Sequence, residues 1–150
     1  MDSIDRAILY QLQREGRLAN NELADRVGLS PSPCLRRVRQ LEDLGVITGY
    51  RAEVDPALVS RDYEALVWVT LTEINRASME RFEGEVQGIE DVTEAYRMIG
   101  QPDYLLRVAV ADRDALERLY IDRLAALPFV KGLTTQLMMK TIKRTGVLPV

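Results

Sequence analysis

The stretch from Ala19 to Gly45, ANNELADRVGLSPSPCLRRVRQLEDLG, constrains this chain more than any other, because it sets two helix signatures around a three-residue reversal. Leu23, Ala24 and Val27 recur at helical spacing and stop at Gly28, which is free to adopt the left-handed conformation that ends a helix. Leu29 then turns inward, and Ser30 is placed to cap the next helix. Pro31 falls at its first position and Pro33 within its first turn, where backbone N–H groups lack intrahelical partners, so neither proline removes a hydrogen bond. Beyond them Cys34, Val38 and Leu41 stand at i, i+4 and i+7, widened by Leu35 and Leu44, while Ser32, Arg36, Arg37, Arg39 and Gln40 fall largely on other faces. One side of this helix packs; the other is left to touch something.

The free side suits duplex DNA. A recognition helix offers its N-terminal residues to base edges in the major groove, where guanidinium groups pair with guanine or grip phosphates and glutamine pairs with adenine. Ser30, Ser32, Pro33, Arg36, Arg37, Arg39 and Gln40 form the expected DNA-reading set, with Ser32, Arg36 and Gln40 best spaced for it. The competing reading is a solvated face on which Glu42 and Asp43 neutralise Arg39. The turn geometry favours DNA.

Charge placement agrees with a local contact. The net charge of −3 excludes a polycation that coats nucleic acid indiscriminately. Residues 1–50 hold seven arginines and seven acids, leaving 13 basic and 16 acidic residues in 51–150, so the acidic excess lies outside the DNA-reading part. With no histidine, His-dependent triads and His-ligated zinc are excluded, and no enzyme is expected. Glu80 with Glu83, and Glu90, Asp91 and Glu94, form carboxylate clusters, but without a calcium-loop or phosphate-loop pattern they read as hydrated surface; neither metal nor cofactor is expected. Cys34 is the single cysteine and sits on an apolar stripe, which points to packing in a reducing cytoplasm. No run approaches a membrane span, and MDSIDR lacks a secretion signal.

Around the two-helix unit, Asp2 or Ser3 is placed to cap a first helix carrying Ile4, Ile8, Leu9 and Leu12, ended by Gly16. Residues 1–48 are expected to form the DNA-binding domain, 49–62 a linker with a short strand, 63–143 a second domain, and 144–150 a C-terminal tail. The second domain reads strand (Tyr63 to Glu73), helix (Ser78 to Gln87), strand (Val92 to Ile99), the turn GQPD, strand (Tyr104 to Ala111), helix (Arg113 to Leu127) and strand (Val130 to Lys140). The expected fold class is therefore α+β: a winged-type helix-turn-helix domain followed by a ferredoxin-like βαββαβ sandwich.

That plan leaves an apolar face uncovered. Along the strand from Tyr63, Ala65, Val67, Val69 and Leu71 mark one face, yet Leu66 and Trp68 with Thr70 mark the other. Two helices cover only one, so a homodimer through the sheets is expected, which also suits a palindromic operator; the alternative is that the linker or the DNA-reading part folds over that face within one chain.

The run IDRAILYQLQREGRLANNELADRVGLSPSPCLRRVRQLEDLGVITGY, then GQPDYLLRVAV and a final strand leading into MKTIK, resembles the Lrp/AsnC (feast-or-famine) family of prokaryotic transcription regulators across nearly the whole chain. The resemblance implies double-stranded DNA as partner, an amino-acid-like effector, and dimers assembling into octamers. It also implies an effector site between dimers at Ile99, Gly100, Gln101, Pro102, Asp103 and Tyr104, helped by Thr134, Thr135 and Gln136. Gly100 and Pro102 suit an open turn whose free backbone groups meet a zwitterion, with Asp103 either facing its ammonium or satisfying backbone N–H groups. One departure is Ala19, where the family often has a capping serine ahead of Glu22, so Asn20 is expected to cap instead. The alternative function is a metabolite-binding or interaction module whose helix-turn-helix docks protein rather than DNA.

Overall fold

A computed structural model describes residues 1–143 and 147–150 of the chain; residues 144–146 of the expected tail lie outside the described residues. The chain divides into two compact units, Met1–Glu53 with Ile142–Val150, and Val54–Thr141.

The first unit holds three helices, α1 (Ser3–Arg14), α2 (Asn20–Arg26) and α3 (Pro31–Asp43). Asp2 caps α1 reciprocally: its carboxylate accepts the Asp5 N–H at 2.9 Å, and Asp5 accepts the Asp2 N–H at 3.0 Å. Ile8, Leu9, Leu23, Ala24, Cys34, Val38 and Leu41 are buried together as one core, flanked by Ile4, Leu12, Leu29 and Ile47. The spacing on all three helices therefore converges on a single apolar centre. Gly28 (φ +70°) ends α2, and the Leu29 N–H donates to the Ala24 carbonyl at 2.9 Å. Gly45 (φ +68°) ends α3 in the same way, with Val46 and Ile47 both donating to Leu41. Two capping expectations fail. The Ser30 hydroxyl makes no cap hydrogen bond, and Asn20 is the first residue of α2, its side-chain amide donating instead to the Pro31 carbonyl at 2.9 Å. Asn20 ties the starts of α2 and α3 together, which competes with capping.

Tyr50, expected in the linker, belongs to this unit: its hydroxyl donates to Glu42 at 2.8 Å, and burial first, then that carboxylate, pushes its pKa up to about 12. At the other end of the unit, the Gln13 side-chain amide accepts the Leu148 N–H at 2.7 Å and donates to the Leu148 carbonyl at 3.3 Å. Linker residues 49–62 contain no strand. A 3-10 turn, Pro56–Val59, forms instead because Asp55 accepts the Ala57 N–H and Pro56 pre-sets the first turn position.

The second unit is a four-stranded antiparallel sheet with spatial order β2-β3-β1-β4, built from β1 (Tyr63–Leu71), β2 (Val92–Arg97), β3 (Tyr104–Val110) and β4 (Val130–Leu137). The helices are α4 (Arg76–Gln87) and α5 (Arg113–Arg118). The helix expected to run from Arg113 to Leu127 widens into a π turn over Leu119–Leu124, which still buries Leu119 and Leu124. Phe82, Val86, Ile89, Leu119 and Leu124 close over Ala65, Val67, Val69, Leu71, Tyr104, Leu106, Val108 and Val110. This is the ferredoxin-like plan, and both helices occupy one face.

The opposite face follows from the register. The pleat puts Tyr96, Leu105, Trp68 and Thr134 in one row across the four strands, and Glu94, Arg107, Leu66 and Gln136 in the next. Arg107 is pinned between Glu64 (2.5 Å) and Glu94 (3.0 Å), and the Trp68 indole N–H donates to Gln136. The second face anticipated for β1 is therefore mixed: Leu66, Trp68 and Leu105 stand half-buried beside the ion pairs of Arg107.

Candidate nucleic-acid interface and effector site

Helix α3 separates its two sides cleanly. Cys34, Val38 and Leu41 are buried, while Ser32, Arg36, Arg39 and Gln40 are exposed together on the opposite side, with Ser30 exposed at the start and Pro33 half-buried. Pro31 and Pro33 keep the first turn free of lost hydrogen bonds, so the helix begins where its polar residues are needed. Arg39 is not neutralised by Glu42 or Asp43: among the described residues neither Arg36 nor Arg39 makes an ion pair, and Glu42 is engaged by Tyr50. Two unpaired guanidinium groups on one exposed helix face are suited to phosphate or base contact. Arg37 behaves differently. It lies beside the buried stripe, and its Nη1 donates to Asp2 and to Asp5, each at 2.8 Å, so a residue expected to contact DNA is held inside the unit by two carboxylates. The Asp5 backbone N–H first, and Arg37 after it, hold the Asp2 carboxyl below its usual range.

The second expected site lies in the turn between β2 and β3. Gly100 takes φ +103° with open space where a Cβ would stand, Ile99 is fully exposed, Gln101 is exposed, and Pro102 is half-buried. Asp103 is buried: its Oδ2 accepts the Leu71 N–H at 2.7 Å, its N–H donates to the Val69 carbonyl at 2.9 Å, and its carbonyl accepts from Met98. Of the two readings for Asp103, these bonds favour satisfying the backbone.

The pleat splits the remaining residues. Thr134 and Gln136 face away from the helices, whereas Thr135 points toward them, with its buried hydroxyl finding no partner among the described residues. Tyr104 also faces the helix layer, under Phe82 with ring centroids 4.6 Å apart. Its hydroxyl donates to Glu83 at 2.8 Å, and burial first, then Glu83, raises its pKa to about 12. Arg97 joins Glu83 at 2.5 Å, and these three residues line a groove of about 330 Å³ with Phe82, Val86 and Ala95. Burial opposes ionisation of Glu83, but the bonds from Tyr104 and Arg97 outweigh it and lower its pKa. Sequence reasoning put Glu83 in a hydrated cluster with Glu80 and did not single out Arg97; its alternation with Ala95 along β2 was the available signal.

Comparison with known proteins fits this geometry. Residues 1–48 match the family described as winged helix-turn-helix DNA-binding, and residues 64–148 match the Lrp/AsnC ligand binding domain. The leucine-responsive regulatory protein of Haemophilus influenzae is 39% identical over 148 residues, covering 99% of this chain and 89% of that one. Its Escherichia coli K12 counterpart is 42% identical over 149 residues, covering 97% and 89%. Among solved structures, a Neisseria meningitidis transcriptional regulator in complex with L-Met superposes with a TM-score of 0.95 at 36% identity, over 99% of this chain and 96% of that one. Two domains on one chain, each matched along its length and in its fold, identify this protein as a member of the Lrp/AsnC family of transcriptional regulators.

Proposed function

We propose that this regulator reads duplex DNA with Ser32, Arg36, Arg39 and Gln40 on α3 and adjusts that reading to an amino acid. The observation that carries the DNA assignment is the pair Arg36 and Arg39, exposed on the face opposite Cys34, Val38 and Leu41 and without acidic partners among the described residues. Ser30 and Pro33 shape the start of the helix beside them.

The effector class is supported by the L-Met complex of the Neisseria relative. In this reading Ile99, Gly100 and Gln101 meet the ligand from the β2–β3 turn, Pro102 and Asp103 hold that turn, and Thr134 and Gln136 contribute from β4. Thr135 and Tyr104 support the site from the helix side. A second copy covers Leu66, Trp68 and Leu105, since an apolar face of this kind is rarely left in water. Dimers assembled further, as octamers, place the turns of neighbouring dimers around one ligand, and the ligand acts by favouring one spacing of the reading heads. No helix among the described residues is long and apolar enough to cross a membrane, and the proposed setting is the cytoplasm.

The test is operator selection from random duplexes followed by anisotropy against salt. A steep fall of affinity with salt, with Arg36→Ala losing about 1–3 kcal/mol on the selected site and its slope shrinking, is the expected result. A flat salt response overturns the DNA assignment and favours docking to protein.

A further inference from the structure

We infer that Arg37 is a positioning residue that fixes the roll of α3 by bridging to the capped start of α1, and that it makes no contact with DNA. The inference rests on the DNA-reading assignment for α3.

The contact joins two parts of the chain that sequence separates widely. Arg37 Nη1 reaches Asp2 Oδ2 and Asp5 Oδ1, both at 2.8 Å. Those carboxylates are already locked to each other's backbone N–H groups by the reciprocal cap of α1. The acceptor is therefore a rigid element and not a wandering side chain. The bridge is also partly sheltered: the side chains of Arg37 and Asp5 are 28% and 16% exposed.

Apolar packing alone leaves a freedom that this bridge removes. Cys34, Val38 and Leu41 hold α3 against the core by non-directional contact, and the directional bond from Asn20 to the Pro31 carbonyl acts only at its first residue, so the roll of the following turns is not fixed by either. A roll swings Arg36 and Gln40 across the groove they are to read. Arg37 sits at the border of the stripe, next to Arg36 and Val38, and a directional N–H to carboxylate bond there stops the roll. One guanidinium against two carboxylates leaves the trio with a charge of −1, so Arg37 offers no net positive charge to a phosphate.

The full-length protein, its selected operator and a scrambled duplex provide the test. Arg37→Met keeps the aliphatic stem and drops the bridge, while Asp2→Asn with Asp5→Asn removes both negative charges and one of the two acceptor oxygens at each position, and no positive charge. Operator preference over scrambled DNA is expected to fall roughly five- to tenfold in both, about the size of part of one base contact. The salt slope of Arg37→Met stays at the wild-type value, and Arg37→Lys restores part of the preference. Combining Arg37→Met with Asp5→Asn adds little to either alone.

A DNA contact predicts the opposite signs. Arg37→Met would then lose about 0.9 of salt slope, and the double Asn variant, with Arg37 released, would keep or raise its preference for the operator over the scrambled duplex. Either result overturns the inference while leaving the DNA assignment intact, whereas a wild-type protein that binds no duplex overturns both. Unfolding midpoints of each variant, measured alongside, exclude loss of the folded head as the cause; if Arg37→Met is not folded at the assay temperature, the Asn and Lys variants carry the decision.

Discussion

The carboxylate of Asp103 accepts the backbone N–H of Leu71 at 2.7 Å, fastening the β2–β3 turn to the end of β1 in the middle of the sheet. Both residues are buried, so Asp103→Ala leaves that N–H without an acceptor and is expected to cost about 1.5–3 kcal/mol in urea unfolding, with Asp103→Asn milder. If Asp103 served a bound ammonium instead, stability would hold and only the response to amino acids would disappear.

Gly28 offers a clean test of the reversal between α2 and α3. Its φ of +70° lies in the left-handed region and no atom crowds an added Cβ, so Gly28→Ala isolates the backbone term. A loss of about 1–2 kcal/mol is expected in the N-terminal unit, read by its unfolding midpoint. An unchanged midpoint contradicts the assigned turn.

Acid should loosen the β2 edge of the sheet. The Tyr96 hydroxyl bonds Glu94 at 2.6 Å; that bond first, and Arg107 with it, hold the Glu94 carboxyl below its ordinary value of 4.5 against the opposing effect of burial. A lowered folded-state pKa favours folding fully above the ordinary value, and the benefit fades as pH falls through the lowered one. Glu94→Gln is therefore expected to flatten the acid limb of stability below about pH 4.5 and to matter little to its slope at neutral pH. Identical acid limbs for the two proteins would contradict this.

Trp68 probes the uncovered face. It stands between Leu105 and Thr134 in a row across the sheet, on the side away from the helices. Trp68→Glu is expected to yield monomers in sedimentation at concentrations where the parent is dimeric, with helix content preserved. Persistence of the dimer would place the interface elsewhere.

The three-helix head was legible because its determinants are local. The stops at Gly28 and Gly45, the proline start and the spacing of Cys34, Val38 and Leu41 act within a few residues and land as read, whereas α1 ends at Arg14 with Glu15, not Gly16, as its cap. Leu66 and Trp68, the apolar members of the second face of β1, were equally visible in its alternation. What spacing does not display is pairing across distance. Arg37 looks like its neighbour Arg36 until Asp2 and Asp5 come into view, and Asp103 looks like a free turn acid until Leu71 does. Thr134, Thr135 and Gln136 were read as one group, although a strand must send the middle one to the other side. Ser30 has cap chemistry but makes no cap bond, and nothing in the structure explains why.

The spatial order β2-β3-β1-β4 carries a consequence for synthesis. α1 to α3 find all their core partners early, so a nascent head can condense as soon as it clears the ribosome. β1 cannot: it is made first among the strands, ends up between β3 and β4, and keeps one edge unpaired even after β3 is made, until β4, the last, arrives. Until β4 is made, that edge of β1 is open to pairing with another chain, an exposure that ends once β4 is in place.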